Sequence, residues 1–494
     1  MLPCWTLAAG LFVFVAPAAA SGWLDAGAVA LRSDLVTVVD AGRLDLPMLG
    51  WPIPRDDLCT ALADPVAESQ PANAAVEAAL DRLLMRCAPQ PSLRAYANAG
   101  DPAQLRGFAA EPRSPAEAGI VGAWEGHRWS ARMAVSLHAE PQDDQSIRPD
   151  GSYVAGKTGN WLWSAGWLDR WWGPGWDGSL IWSNNARPIP GIAVDRVRST
   201  PFQTRWLSWI GPWRATAFLG ALEHDRVDVD DALFMGLRVA ARPLDGLELG
   251  FSRTMQFCGD GLPCSASSLW DMLVGRDNPG ADGSLDPEDE PGNQMGSVEA
   301  RWSSPIGDAP YALYTQLTGE DEANFFPVKL LKLYGADGVV TVGSLPARVY
   351  LEYADTSCAS SNPGKVYNCA YNQHFFYREG YRYRGRVIGH SMDSDGLLWT
   401  LGAAWTTSAG WSLELVSRYA QINRGGAADD RHTISPTPLD RYELAAGARR
   451  SYRWGLLEAR LGATYDEPAG SARDLGLSGY IGFSRTLGAV GRDR

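Results

Sequence analysis

The strongest constraint on this chain is a period-two alternation of apolar and polar side chains that recurs from about residue 118 onward. One face of each segment carries Leu, Val, Phe and Tyr, and the other carries Glu, Arg, Ser, Thr and Gly. Examples are Trp129–Leu137, Arg214–Leu222, Gly246–Thr254, Val349–Ala354, Trp411–Tyr419, Leu457–Tyr465 and Leu475–Phe483. Most segments span about nine to eleven residues, the length that a tilted strand needs to cross a bilayer. Strands of soluble β-sandwiches alternate too but are usually shorter, so the pattern predicts an all-β transmembrane barrel.

Connection lengths support the barrel, because short turns alternate with longer loops along the chain. The predicted turns are 211–212, 243–245, 304–308, 343–346, 407–409 and 450–453. The predicted loops are 224–231, 257–294, 319–327, 356–396, 421–439 and 465–473. Barrels of the bacterial outer membrane have short periplasmic turns and long extracellular loops. Counting back to Ala118 gives about 18 antiparallel strands, with both ends of the barrel on the periplasmic side.

The chain before the barrel is predicted to contain a signal peptide at 1–20 and an α-helical region at 21–117. Trp5–Ala16 is an apolar run followed by small residues, as in a cleavable signal, although no Lys or Arg precedes it. A single transmembrane anchor is the alternative. Helical spacing predicts helices at 30–41, 54–63 and 72–87, which would form a periplasmic bundle. The barrel domain is expected at 118–494.

Six of the seven cysteines lie beyond the predicted signal and fall into three close pairs, Cys59/Cys87, Cys258/Cys264 and Cys358/Cys369. An even number in an exported chain indicates disulfides, and pairing of neighbours is one of about 15 possible connectivities. The formal net charge of −13 argues against binding of nucleic acid. Because no Cys-x-x-Cys occurs and the six histidines are scattered, no metal or other cofactor is expected.

Two glycine motifs match nucleotide-binding patterns by letter only. Gly151–Thr158 has the spacing of a phosphate-binding loop, and Gly173–Gly178 that of a dinucleotide-binding turn. Neither follows a buried strand or begins a helix, as both sites require. The chain is therefore predicted not to be an enzyme, although a pair of carboxylates of the glycosidase type stays open as an alternative.

Tryptophan is concentrated in one short stretch, since seven of the 21 lie between Trp161 and Trp182. Flat aromatic rings can stack on sugars, while amide, carboxylate and guanidinium groups can bind hydroxyls. The carbohydrate-binding residues predicted in this stretch are Trp171, Trp172, Trp176, Asp177, Asn184, Asn185 and Arg187. The alternative, which has about equal weight, is that the rings pack inside the barrel and narrow its lumen.

The predicted loop 356–396 is rich in tyrosine and arginine and forms a second candidate site. Its predicted carbohydrate-binding residues are Tyr377, Arg378, Tyr381 and Arg382. Guanidinium groups suit the carboxylates of an acidic glycan. The alternative is that this long loop packs on itself.

Several segments resemble the capsule-assembly Wzi family, and together they cover essentially the whole mature chain. They are Leu31–Leu35, Trp51–Pro54, Gly151–Lys157, Gly159–Trp161, Ala165–Trp176, Ser183–Pro190, Trp206–Trp213 and Leu269–Asn278. The resemblance implies an 18-stranded outer-membrane barrel with a helical bundle on its periplasmic side. It also implies a lectin-like role in holding polysaccharide on the cell surface, and it supplies no catalytic motif.

The chain is thus predicted to be an outer-membrane lectin-like protein that binds capsular or exported polysaccharide without altering it. Its expected partners are that polysaccharide, outer-membrane lipid and the polysaccharide export machinery, and it is expected to be a monomer. One alternative is a porin or glycan-permeation channel of the same fold, and another is a barrel enzyme acting on glycan or lipid. A filled lumen would favour the lectin over the channel.

Overall fold

The computed structural model describes most of the chain beyond the predicted signal peptide, which lies outside the described residues. The described residues are 22–63, 73–87, 92–126, 128–262, 264, 265, 267, 269–270, 292–304, 311–319, 322–323, 326–327, 329–342, 345–359, 365–372, 377–426 and 432–488. Among them, no helix combines the length and apolar character that crossing a membrane requires.

Eighteen antiparallel strands of the described chain close into a barrel, as predicted. They are β1 Ser92–Asp101, β2 Ala116–Glu125, β3 Trp129–Ala139, β4 Tyr153–Thr158, β5 Trp161–Gly166, β6 Gly191–Arg196, β7 Trp213–Ala221, β8 Leu233–Leu244, β9 Leu247–Phe257, β10 Gly292–Ser303, β11 Tyr311–Gly319, β12 Leu330–Val342, β13 Leu345–Ala359, β14 Leu397–Thr406, β15 Trp411–Ile422, β16 Leu439–Tyr452, β17 Gly455–Pro468 and β18 Asp474–Gly488. Two-residue strands at Ile147–Arg148 and Lys365–Val366 extend the sheet. Pairing of β18 with β1 closes the barrel.

The alternation read from the sequence separates the outer wall from the lumen. In β3, Met133 and Leu137 are exposed on the outside, whereas Ser136 and His138 are buried inside. Closure leaves no sheet edge, so every strand can pair on both sides, which a lipid environment demands. The apolar face therefore points toward lipid and the polar face toward the interior.

Aromatic side chains form a row across the outer wall near the long-loop end. Directly paired residues of six neighbouring strands make up the row: Tyr334, Tyr353, Trp399, Tyr419, Tyr442 and Tyr465. At the short-turn end, Trp454 stacks between Tyr452 and Phe483, with ring centroids 4.8 and 5.7 Å away. Two aromatic girdles that bound an apolar band are typical of barrels in lipid.

Two boundaries that were predicted from the sequence differ from those in the structure. The predicted helical region at 21–117 is too long, because β1 begins at Ser92. Alanine occupies most outward positions of β1, at Ala95, Ala97 and Ala99, which weakens the apolar signal. The predicted turn at 211–212 is instead a connection of 197–212 that contains a 3₁₀ turn at Ser208–Ile210.

The three predicted helices and the three predicted cysteine pairs are confirmed. Helices α1 Val29–Asp40, α2 Arg55–Leu62 and α3 Ala74–Cys87 precede the barrel. Disulfides join Cys59 to Cys87, Cys258 to Cys264, and Cys358 to Cys369. The first of these links α2 to α3.

The helical region is not a bundle separate from the barrel, because α1 and the chain after it enter the lumen from the short-turn end. Asp40 at the end of α1 pairs with inward-facing Arg301 of β10 at 2.6 Å. The inward-facing carboxylate of Glu248 in β9 accepts hydrogen bonds from the backbone N–H groups of Met48 and Leu49 at 2.7 and 2.9 Å. Pairing and backbone hydrogen bonds satisfy these buried charges.

Candidate functional site

The tryptophan stretch between β5 and β6, residues 167–190, folds into the lumen from the long-loop end, and we call it the plug. The Trp171 ring packs edge-on against Phe108, with centroids 5.3 Å apart. Trp172 packs against Trp182 at 4.8 Å, and Trp176 stacks on Tyr350 at 5.7 Å. These rings fill the interior, in agreement with the alternative that they pack inside the barrel and narrow its lumen.

Buried ion pairs fasten the plug to the wall. Arg418 of β15 donates two hydrogen bonds to the Asp177 carboxylate, at 2.8 and 2.6 Å, and another at 2.6 Å to Glu443 of β16. The Thr400 hydroxyl also donates to Asp177, at 2.6 Å. Beside Thr400, the Glu352 carboxylate of β13 accepts the backbone N–H of Trp176 at 2.8 Å. The plug turn is thus held by polar and charged side chains from three strands, and Glu443 from a fourth strand supports Arg418.

The plug meets the N-terminal segment in the middle of the barrel. The guanidinium of Arg32 in α1 donates to the carbonyls of Pro174 and Gly175, at 2.6 and 2.8 Å. It also lies 4.5 Å from the ring centroid of Phe108 and 4.4 Å from that of Trp176, a cation–π geometry. These two insertions from opposite ends, together with Phe108 of the loop between β1 and β2, therefore fill the lumen of the described barrel.

The structure buries all but one of the predicted carbohydrate-binding residues. Trp171, Trp172, Trp176, Asp177, Asn184, Asn185, Arg187, Tyr377, Tyr381 and Arg382 are each at most 7% exposed, and only Arg378 is open to solvent. A buried ring that packs on other rings cannot stack on a sugar. In this structure those ten residues pack against protein groups, so a sugar contact, which stays a prediction for them, would require this packing to open.

Most of their polar groups have protein partners, although Oδ1 of Asn184 and Nε of Arg382 have none among the described residues. Asn184 donates to the Phe108 carbonyl and Asn185 to that of Val387, both at 2.9 Å. Arg187 forms an ion pair with Asp150 at 2.7 Å. The corresponding bonds of the second loop run from Tyr377 to the Cys258 carbonyl, from Tyr381 to the Ile181 carbonyl and from Arg382 to Asp393. The loop therefore packs on the plug and on itself, as its structural alternative proposed.

Sequence reasoning missed a cluster of three arginines at the long-loop mouth, which we call the mouth cluster: Arg106, Arg113 and Arg386. Arg386 donates to the amide oxygen of Gln142 at 3.0 and 2.7 Å and to that of Asn185 at 3.3 Å. Arg106 donates only to backbone carbonyls, those of residues 111 and 112. These acceptors are neutral, so the compensating charge comes only from carboxylates that do not hydrogen-bond to either guanidinium.

Burial and mutual repulsion shape the electrostatics of the mouth cluster. Burial and then the charge of Arg113 lower the pKa of Arg106 to about 9 and that of Arg386 to about 10. Arg113 has one acidic partner, Asp169, at 3.3 Å. Within the described residues, Nε of Arg106, Nε of Arg113 and Oδ1 of Asn184 are buried without hydrogen-bond partners. An anion at this mouth would relieve the repulsion and accept from guanidinium groups.

A pH dependence is expected from His390, which is buried in the loop before β14. Its Nδ1 accepts the Met392 N–H at 3.2 Å. Burial lowers its pKa to about 4, while Asp177 raises it and Arg418 lowers it. The unfolded chain binds the proton below pH 6.5 and the folded chain only below about 4. The protein therefore loses stability as the pH is lowered through that window. Titrating His390 contributes up to about 3 kcal/mol to this loss.

Urea unfolding of the reconstituted protein between pH 7 and 4.5 measures this effect. The variant His390→Gln should show a smaller loss of stability than the parent chain over that range. His224→Gln is the matched control, because His224 is 77% exposed at the long-loop end. Equal pH slopes for the parent chain and His390→Gln would contradict the assignment.

The architecture defines the class of protein: an outer-membrane β-barrel whose lumen is filled by a plug and an N-terminal helical segment. The sequence model of the capsule assembly protein Wzi family matches residues 107–467, so the chain belongs to that family. The resemblance read from the tryptophan-rich segments is confirmed.

One relative and one solved structure are similar to this chain. The chain is 30% identical over 332 residues to a 55.8 kDa protein in the cps region of Klebsiella pneumoniae. That match covers 66% of this chain and 64% of the relative, which is less than two thirds of the relative's length. The structure of Wzi from Escherichia coli, an outer-membrane protein involved in group 1 capsule assembly and described as a carbohydrate-binding β-barrel, is 24% identical. It superposes with a TM-score of 0.82 over 95% of this chain and 100% of that chain, which confirms the fold.

Proposed function

We propose that this protein binds capsular or exported polysaccharide at its long-loop end and holds it on the cell surface without chemical change. Membership of the capsule assembly family supports this proposal. The filled lumen favours binding over permeation, because a 16–18-stranded barrel conducts only when its interior is open. In this orientation the short turns and the helical region face the periplasm, as in other outer-membrane barrels.

The observation that carries the proposal is the mutual repulsion of three arginines in the mouth cluster, of which only Arg113 has an acidic partner in hydrogen-bonding contact. At the end of the barrel that would face the polysaccharide, the partly exposed Arg386 donates to neutral oxygens, and buried Arg106 adds a second positive charge. Carboxylates of an acidic sugar would supply the missing counter-charge and accept paired N–H groups. We therefore infer that the ligand is an acidic polysaccharide, the ligand class expected for the arginine-rich loop.

A repeating chain can offer its charged groups to many copies of the protein at once. A weak contact at each mouth cluster would then suffice, because linked binding events raise the overall avidity. We further infer that the predicted signal at 1–20 directs export, that each monomer is a complete binding unit in outer-membrane lipid, and that the export machinery delivers the polysaccharide. The protein would act by retention, and no catalytic group is required.

The test compares retention of polysaccharide on cells that lack the protein with retention after complementation. Arg113→Gln/Arg386→Gln should weaken binding of an acidic capsular polysaccharide about tenfold or more, since a hydrogen bond to a charged group contributes about 1.5–3 kcal/mol. Arg473→Gln is the matched control, because it removes the same charge from an exposed loop at the same end. Neutral dextran should bind none of the variants appreciably.

The possible results separate the function from the site. If deletion of the protein leaves retention unchanged, the proposed function is wrong. If deletion abolishes retention but the double variant restores it fully, the function stands and the mouth cluster is not the contact.

A further inference from the structure

The connection between β6 and β7, residues 197–212, is long for the short-turn end of the barrel. It exposes several large apolar side chains. Trp206 is 87% exposed and Trp209 is 66% exposed, and Leu207 between them is 40% exposed. Monomeric proteins rarely leave such a contiguous apolar group in water. A surface of this kind indicates a partner.

The segment has a defined shape. Ser208 donates its backbone N–H to the Thr204 carbonyl at 2.9 Å, and Gly211 donates to Ser208 at 3.2 Å. Gly211 adopts a φ of +69°, and an added Cβ there would collide with the carbonyl of Arg242 in β8. Because this turn is internally bonded, its exposed rings are presented outward by the fold.

Both ends of the segment are fixed to the body of the protein. The Ser199 N–H donates to the Asp57 carboxylate of α2 at 2.8 Å, and the Arg242 N–H donates to the Pro212 carbonyl at 2.9 Å. Phe202 stacks on Trp213, with centroids 4.6 Å apart. The rings of Trp206 and Trp209 take no part in these attachments.

The segment lies at the level where the outer wall meets the membrane interface. It runs directly into Trp213, the first residue of β7. Trp411 begins β15 and Tyr452 ends β16 at the same end of the barrel. Tryptophan is enriched at the boundary between acyl chains and head groups, where one side of the ring is apolar and the other is wet. The segment therefore joins the outer wall at the end of the barrel where these aromatic residues lie.

We propose that residues 201–212 are an interfacial anchor that inserts Trp206, Leu207 and Trp209 into the phospholipid leaflet at the short-turn end. Exposed Arg205, next to these side chains, provides a cation for lipid phosphate. The anchor extends the apolar footprint of the barrel on one side, beside β7 and β8. This assignment is independent of polysaccharide binding.

The test measures the depth of nitroxide labels on the chain from residue 21 onward, which lacks Cys4, reconstituted in vesicles of phosphatidylethanolamine and phosphatidylglycerol. The three disulfides leave no free thiol among the described cysteines, so a single introduced cysteine can be labelled. Trp206→Cys and Trp209→Cys should show a ratio of accessibility to oxygen over nickel chelate several-fold higher than the control. Ser408→Cys is that control, because Ser408 is exposed in a short turn at the same end.

A several-fold higher ratio at both tryptophan positions supports the anchor. A ratio equal to that of Ser408→Cys in folded protein would overturn it, and would instead assign the surface to a periplasmic protein. Heat-modifiable migration in gels checks that each variant is folded, and Leu207→Cys provides a third position if either tryptophan variant does not fold.

Discussion

Replacing Arg418 by methionine is expected to lower the free energy of unfolding by about 3–5 kcal/mol, the cost of breaking a buried ion pair by removing one partner. Arg418 lies between the carboxylates of Asp177 in the plug and Glu443 in β16, and all three side chains are at most 3% exposed. Its loss leaves two buried negative charges without a counter-charge, and a third carboxylate, that of Glu352, accepts the Asp177 backbone N–H at 3.2 Å. Urea titration of protein reconstituted in vesicles, followed by tryptophan fluorescence, measures the change.

The matched control for Arg418→Met is Arg449→Met. Arg449 pairs with Glu458 at 3.9 Å and is 48% exposed, so its removal should cost less than about 1 kcal/mol. The triple variant Arg418→Met/Asp177→Asn/Glu443→Gln should recover part of the loss, because no buried charge then lacks a partner. Similar losses for Arg418→Met and Arg449→Met would show that the buried pair does not hold the plug.

The outer wall could be predicted from the sequence because each strand has its own alternation of apolar, lipid-facing residues and polar, inward-facing residues. Outward residues such as Met133 and Leu137 alternate with inward Ser136 and His138. This alternation can be read without knowing which distant residues they contact. The first strand was missed because alanines occupy most outward positions of β1, where the apolar signal is weak. The close cysteine pairs were also local signals, and local pairing was confirmed.

The candidate site was less predictable because it depends on contacts between distant parts of the chain. The sequence could not show whether Trp176 faces a sugar or a protein ring, and Tyr350, on which it stacks, lies in β13. The mouth cluster was missed because Arg106 and Arg113 come from one loop and Arg386 from another, far along the chain. Arg386 belongs to the loop predicted as a second candidate site, but only the barrel brings its charge together with those of Arg106 and Arg113.

The intact protein is expected to carry no steady current in planar bilayers, whereas a chain without its two lumen insertions should conduct like an open barrel. The plug can be removed cleanly because Gly166 and Gly191 are register partners, so an Asn-Gly turn can join β5 directly to β6. The N-terminal insertion is removed by deleting residues 22–91. A barrel of 16–18 strands without internal obstruction leaves an aqueous channel.

Deleting either insertion alone should give a smaller current than deleting both, because each fills the lumen from its own end and they meet at Arg32. The loop at 377–395 loses its support in the plug deletion, since Tyr381 donates to the Ile181 carbonyl. Removing exposed residues 469–473, which lie in a loop outside the lumen, should leave the protein closed. Large steady currents through the intact protein would contradict a lumen sealed by these insertions and would favour a permeation channel over a retention protein.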